Sequence, residues 1–293
     1  MRAKEKPGKR EHHGNSDRIW WTRGLAILLL LVSIAFSSPA SAEEKEGGGL
    51  RAAVQNPISS LISLPFKFTF DYGAPNGEAS FLNIQPVYPV TVGDWNLVNR
   101  AIVPLIHSPG PIAGTPGIPN PVPGDGKTGL GDINYSLFFS PVKYDKVIWG
   151  LGPSISVPTA TDDQLGSGKW STGPTLVLLN QPKWGSLGVL FRQLWSFAGD
   201  SDRPKVSQFL LEPFVNYNLP GGWYLISDIV ATANWDAPSG QKWTVPLGGG
   251  VGKLMKIGKQ PVNLRTEAYY NVERPDLAPK WQWGFTVQFL FPK

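Results

Sequence analysis

"WQWGFTVQFLFPK" occupies residues 281–293. Trp281, Trp283, Phe285, Val287, Phe289 and Phe291 fall on every second position, with Gln282, Gly284, Thr286 and Gln288 among the residues between them. A period of two is that of a β-strand, in which alternate side chains share a face. All six large apolar side chains therefore point one way. A second sheet, a helix or a lipid bilayer could cover them, and the remaining sequence has to discriminate.

The same alternation recurs upstream. "FKFTFDY" (66–72) sets Phe66, Phe68, Phe70 and Tyr72 against Lys67, Thr69 and Asp71. "FLNIQPVYPV" (81–90) sets Leu82, Ile84 and Tyr88 against Asn83 and Gln85, and "WNLVNRAIV" (95–103) sets Trp95, Leu97, Ala101 and Val103 against Asn96 and Arg100. Ile133, Tyr135, Leu137 and Phe139 oppose Asp132, Asn134 and Ser136 in 130–139, and Trp149, Leu151, Ile155 and Val157 alternate with Gly and Ser in 147–157. Glu212, Asn216 and Asn218 share a face in 209–219, as do Asn263, Arg265 and Glu267 in 262–271. Less regular strands are expected over 170–179, 186–197, 223–233 and 242–252, for about 12 in all.

The connections fall into two classes. Short turns follow alternate strands at 91–94, 141–146, 180–185, 219–222 and 256–260; the others (73–79, 159–169, 198–205, 236–241, 273–279) are mostly longer and polar, and the longest is the Pro/Gly-rich 104–129. A soluble sandwich would carry many charges on its polar faces. Here one face is aromatic and aliphatic, with Trp or Tyr often at strand ends, and the other carries Asn, Gln, Ser, Gly and scattered charges. Outer-membrane barrels invert the soluble rule in this way, with short periplasmic turns and long outer loops. In lipid only a closed sheet satisfies every backbone group. The expected fold is an all-β transmembrane antiparallel up-and-down barrel over 63–293, with both termini periplasmic, preceded by a periplasmic segment at 43–62.

Composition agrees. Charged residues are 17% of the 293, Gly (33) and Pro (28) together make about a fifth, and the absence of cysteine excludes disulfides and thiolate metal sites. Residues 1–23 are basic, 24–36 form an apolar core of 13 residues, and 37–42 end in A-x-A, the order of an export signal cleaved after Ala42. That apolar core is shorter than the ~20 residues a spanning helix needs. Residues 1–42 hold seven Lys/Arg and three Asp/Glu, leaving 20 Lys/Arg against 19 Asp/Glu, a net +1, in 43–293. The basic pI thus belongs to the signal and gives no argument for nucleic-acid binding.

"QNPISSLISLPF" (55–66), "TGLGD" (128–132), "GPSISVPTATDDQLGSGKWSTGP" (152–174), "NYNLPGGWYLISD" (216–228), "WTVPLGGGVGK" (243–253), "GKQPVNLRTEAYYNVERP" (258–275) and "FLFPK" (289–293) resemble a family of bacterial outer-membrane β-barrel transporters. It is known as the MetA-pathway of phenol degradation family, and some members carry the misleading label neuromedin U. The resemblance covers nearly all of 55–293. It implies a barrel channel and uptake of small, aromatic or apolar solutes, and it supplies no catalytic residues. The chain ends Phe-Pro-Lys where outer-membrane barrels usually end in Phe, so Phe291 stands two positions early.

Other motifs have ordinary explanations. "VPGDGKTG" (122–129) places Pro121 where a phosphate-binding loop needs Gly, and it lies in a Pro-rich loop. "GDSD" (199–202) lies between strands with no helix to follow, and His107, the one histidine after the signal, is read in the long loop beside Ser108. Asp162 and Asp163 could take a hard cation, though acidic outer loops are commonly solvated or face the ions around lipopolysaccharide. No catalytic, cofactor or metal site is expected, and the chain is not read as an enzyme. Expected partners are outer-membrane lipid and lipopolysaccharide, the outer-membrane assembly machinery and a small-molecule solute, with no nucleic acid.

The polar faces give the expected lumen lining: Lys67, Asn83, Gln85, Arg100, Asp132, Asn134, Arg192, Glu212, Asn216, Asp228, Arg265, Glu267 and Gln288. Charges inside a narrow barrel pair with one another or meet water, because isolated ones cost several kcal/mol. Two functions follow from that lining. One is a passive channel; the other is a structural or adhesive barrel with a plugged lumen and working surface loops.

Overall fold

The computed structural model describes residues 44–292, with side chains from 49 onward; the export signal read at 1–42 lies outside the described residues. Helix α1 (Glu44–Val54) leads through 55–61 into a single antiparallel sheet. Its strands are β1 (Ile62–Ala74), β2 (Gly77–Ile84), β3 (Val87–Val92), β4 (Trp95–Ser108), β5 (Lys127–Leu130), β6 (Ile133–Pro141), β7 (Ile148–Val157) and β8 (Lys169–Asn180). They continue as β9 (Gly185–Gly199), β10 (Ser207–Asn218), β11 (Trp223–Asp228), β12 (Ala231–Asn234), β13 (Trp243–Ile257), β14 (Gln260–Glu273) and β15 (Trp281–Phe291).

These fifteen segments make twelve barrel strands, because β2–β3, β5–β6 and β11–β12 are each one strand with a break. Each strand pairs with its chain neighbours, and the sheet closes where β15 meets β1, from Ile62 opposite Phe291 to Tyr72 opposite Trp281. Proline accounts for the breaks. It has no N–H to give a ladder and is tolerated in sheets only at edges and irregularities. Pro86 lies in the first break, and its carbonyl accepts from Ala101 N–H at 3.1 Å. The second break faces Pro104, whose carbonyl accepts from Gly131 N–H at 2.9 Å; the third faces Pro213, which accepts from Ile229 N–H at 3.0 Å. The wall stays hydrogen-bonded across every break.

Close approach of neighbouring strands needs glycine, and β13 is one such place. A Cβ on Gly248 would lie 2.0 Å from Ala268 O, and one on Gly250 would lie 1.9 Å from Thr266 O. Only glycine lets β13 press this closely onto β14.

The alternation of the closing strand resolves as an outer and an inner face. Gln282, Gly284, Thr286 and Gln288 line the lumen with Lys67, Thr69 and Asp71 of the neighbouring β1. On the outer face Phe70 stacks on Trp283 at 5.2 Å, and Phe66 meets Phe289 edge-on at 6.1 Å. Two aromatic rims flank this band. Tyr72, Trp195, Trp235, Tyr270 and Trp281 are exposed at the long-loop end, and Tyr88, Trp95, Trp149, Trp184 and Tyr217 at the short-turn end. Asn99 is a polar residue on the outer face, and its side chain is satisfied: it donates to Tyr88 O at 2.9 Å and accepts from the Tyr135 hydroxyl at 2.6 Å. A polar group on an apolar outer face is best paired in this way.

Two sequence expectations shift. The connection at 73–79 is a tight hairpin, since β1 runs to Ala74 and β2 starts at Gly77. The long connection at 104–129 shrinks to 109–126, because β4 and β5 extend into it as a paired ladder from Leu105 opposite Leu130 to Ser108 opposite Lys127.

The two faces predict opposite responses to charge. Val287→Arg places a cation on the apolar band and is expected to cost about 2–4 kcal/mol of folding free energy in lipid. Gln288→Arg, one residue on, enters the polar lumen and is expected to fold nearly as well as the parent. Denaturant titration in lipid vesicles measures both, and equal tolerance would contradict the assignment of faces.

Candidate functional site

The lumen is stratified from the short-turn end upward. Its floor is apolar: Ile58 is buried among Val98, Phe138, Ile148, Val177, Leu179, Leu190 and Leu210, all projecting inward from the wall. Beside it Leu50, Ala53 and Val54 pack against Leu61, Leu254 and Leu290. The segment before β1 therefore sits inside the barrel mouth. Few polar ties hold it there: Arg51 Nη1 donates to Leu219 O at 3.0 Å, Gln55 Nε2 to Asn218 Oδ1 at 2.9 Å, and Gln181 Nε2 to Ala52 O at 2.7 Å.

The roof is the loop 109–126, folded inward. Ile112 and Ile118 are buried with Ala79, Phe81, Ile106 and Leu165. The loop is tied to the far wall by Asn234 Nδ2, which donates to Pro119 O at 3.0 Å and Asn120 Oδ1 at 2.8 Å. Gly114 permits a close approach to that wall, because a Cβ there would lie 2.3 Å from Thr244 Oγ1.

Between floor and roof lies a cavity of about 340 Å³, and all thirteen residues assigned to the lining from sequence stand on its wall. They fall into three groups. In the first, Arg265 bridges two carboxylates, with Nη2 3.2 Å from Asp228 Oδ2 and Nε 3.1 Å from Glu267 Oε2. The Tyr269 hydroxyl donates to Glu267 Oε1 at 2.9 Å and accepts from the Asp228 backbone N–H at 2.8 Å. The Tyr224 hydroxyl donates to Asn263 Oδ1 at 2.8 Å, and Asn263 donates onward to Gln288 Oε1 at 3.1 Å.

The second group is cationic and lacks that pairing. Arg192 is only 9% exposed and reaches from β9 to β6, where Nη1 donates to Asn134 Oδ1 at 2.8 Å. Arg100 Nη2 donates to Gln85 Oε1 at 3.4 Å. Among the described residues neither arginine, nor Lys67, makes a salt bridge within 4.0 Å. Glu212 lies against Asp228, with Arg100 and Lys67 in its field.

The third group is structural. Asp132 accepts from Ser167 N–H and Ser167 Oγ–H, both at 2.7 Å, and from Ala160 N–H at 3.2 Å, so it pins the loop at 158–168. Asn216 donates to Ser186 Oγ at 2.9 Å, and Asn83 faces the cavity. Asp162 and Asp163 are occupied by Lys127 at 3.4 Å and Arg203 at 3.3 Å. His107 Nδ1 lies 2.8 Å from Thr128 Oγ1, while Ser108 Oγ donates to Gly110 O at 2.6 Å, so His107 and Ser108 engage separate partners.

Sequence reasoning passed over Tyr224 and Tyr269. Tyr269 was within reach, because the period that places Arg265 and Glu267 inside places Tyr269 there too. The residues of the N-terminal segment gave no periodic signal.

Removing the bridge between the two carboxylates has a clear expected cost. Arg265→Met leaves Asp228 and Glu267 buried without their cation and is expected to destabilise the barrel by about 3–5 kcal/mol. Glu267→Gln, which keeps a hydrogen-bonding group for Tyr269, is expected to cost less. Unfolding in detergent followed by tryptophan fluorescence measures both, and a neutral Arg265→Met would show that the network contributes nothing.

No protein-family model and no curated protein sequence matches the chain. Among solved structures it is similar to the COG4313 outer membrane channel of Pseudomonas putida F1, with 12% identity, 87% of this chain and 99% of that chain covered, and a TM-score of 0.56. Weaker likenesses are to the outer membrane phospholipase A of Escherichia coli (13% identity, 83% and 98% covered, TM-score 0.43) and the toluene transporter TodX of Pseudomonas putida (11%, 83% and 92%, 0.40). The chain thus has the fold of an outer-membrane β-barrel.

Proposed function

We propose that this protein is an outer-membrane channel through which small organic solutes, aromatic or apolar in their larger part, diffuse down their gradient. The observation that carries this reading is the cavity that the side chains leave between floor and roof. A barrel that served only as a scaffold would gain by packing its lumen, since voids forfeit contacts. Here a cavity of about 340 Å³ lies between two closures, each made of a segment folded in rather than of the wall itself. That volume is within the range of small-molecule sites, about 300–1,000 Å³. Inward-facing Phe138, Leu190, Leu210 and Phe214 give it an apolar side that a purely ion-conducting pore would lack.

By the general sidedness of such barrels the short-turn end is periplasmic, so the N-terminal segment closes the periplasmic mouth and 109–126 the outer one. The wall would meet lipid along its apolar band and lipopolysaccharide at the outer rim, after insertion by the outer-membrane assembly machinery. Passage then requires a closure to move, and the periplasmic one is held by few polar ties. A second reading, a structural barrel with a permanently plugged lumen, is favoured by the two segments that pack inward at its ends.

Planar-bilayer recordings separate the two. Arg51→Ala combined with Gln55→Ala removes two of the ties and is expected to raise open probability and mean conductance above those of the parent. It is also expected to speed liposome swelling in small aromatic solutes. A folded double variant that conducts no better than empty membrane would favour the plugged barrel.

A further inference from the structure

The charges of the lumen are unevenly distributed, and the imbalance points to a class of solute. On one arc Arg265 is matched by Asp228 and Glu267. On the other, Arg192 and Arg100 are held only by the neutral amides Asn134 and Gln85, and Lys67 has no hydrogen-bond partner among the described residues. Glu212 lies in the field of all three, and Asp228, already bridged by Arg265, lies in that of Lys67 and Arg100. With Arg265 counted, four cations thus stand against the three carboxylates Asp228, Glu267 and Glu212, a surplus of one positive charge, and desolvated charge of one sign is costly until an opposite charge arrives. Guanidinium groups suit this task, because their forked N–H donors match a carboxylate in bidentate fashion. Next to them the apolar floor, which Phe138, Leu190, Leu210 and Phe214 form around Ile58, borders the same cavity.

We infer that the lumen holds a binding site for small organic monocarboxylates with an apolar, ring-sized body, the carboxylate on Arg192, Arg100 and Lys67 and the body on Phe138, Leu190, Leu210 and Phe214. This rests on the channel reading for its physiological sense and narrows the solute from any small organic molecule to an anionic one. Neither half of the site suffices alone. Inorganic anions gain nothing from the apolar wall, and neutral aromatics leave the cations uncompensated.

The test is titration calorimetry on the full mature chain in detergent, with benzoate, benzyl alcohol, benzylammonium and inorganic phosphate as probes. Benzoate is expected to bind, with roughly tenfold or greater preference over benzyl alcohol and phosphate. Benzylammonium is expected not to bind. Arg192→Gln and Lys67→Gln are each expected to weaken benzoate several-fold, with the folded barrel verified by its heat-modifiable gel mobility. The comparison of probes on the unmodified protein decides the matter even if a variant does not fold. Absence of benzoate binding, equal binding of benzyl alcohol or phosphate, or unchanged affinity in both folded variants would overturn the site. Bilayer current is read separately. Benzoate binding without current would remove the channel and keep the site; current without benzoate binding would keep the channel and remove the site.

Discussion

On the proposed reading the backbone crosses hydrocarbon and must satisfy its own hydrogen bonds, and this constraint governs the rest of the molecule. Water is absent there, so an open sheet edge is excluded and the twelve strands must close. Closure is made between β1 and β15 along an unbroken register of eleven residue pairs. The chain is nevertheless rich in proline, which cannot donate to a ladder. Its solution is local: the strands break at Pro86 and opposite Pro104 and Pro213, and at each break a proline carbonyl accepts from a neighbouring amide. The wall loses regularity there yet stays hydrogen-bonded.

Closing so small a barrel creates a second problem, the inside. Alternation sends half the side chains inward, and their polar atoms lose bulk water. One arc of the lumen solves this by pairing, with Arg265 between Asp228 and Glu267 and the Tyr269 hydroxyl donating to the latter. The floor solves it by becoming apolar around Ile58, and the roof by folding 109–126 over the opening. The space left between them is where arginines lack carboxylate partners. Architecture and candidate function therefore meet at one level of the barrel.

Much of this was legible in the sequence because period-two alternation is a direct consequence of strand geometry. Lys67, Asp132, Glu212, Arg265 and Glu267 fall on the lumenal side for the same reason that Phe66, Phe68, Tyr135 and Phe289 do not. Where the sequence misled, a non-local contact was responsible. Val98, Phe138, Val177 and Leu190 point inward although they are apolar, because an N-terminal segment with no periodic signature of its own comes to cover them. Asp132 reads as one more lumenal charge, yet it accepts three hydrogen bonds from a loop some thirty residues away, which no spacing rule announces. The inward fold of 109–126 is equally silent, since its anchors Asn234 and Gln208 lie in distant strands.

The central claim is that the apolar face of each strand meets lipid and the polar face encloses the lumen. The absence of cysteine allows single spin labels to be introduced at successive positions of β15 without background. Electron paramagnetic relaxation in vesicles then compares collisions with oxygen, which concentrates in hydrocarbon, against those with a water-soluble nickel complex. The account predicts high oxygen accessibility at 283, 285, 287 and 289 and protection from it at 282, 284, 286 and 288. A profile without period two, or one with its maxima on the even positions, would contradict it.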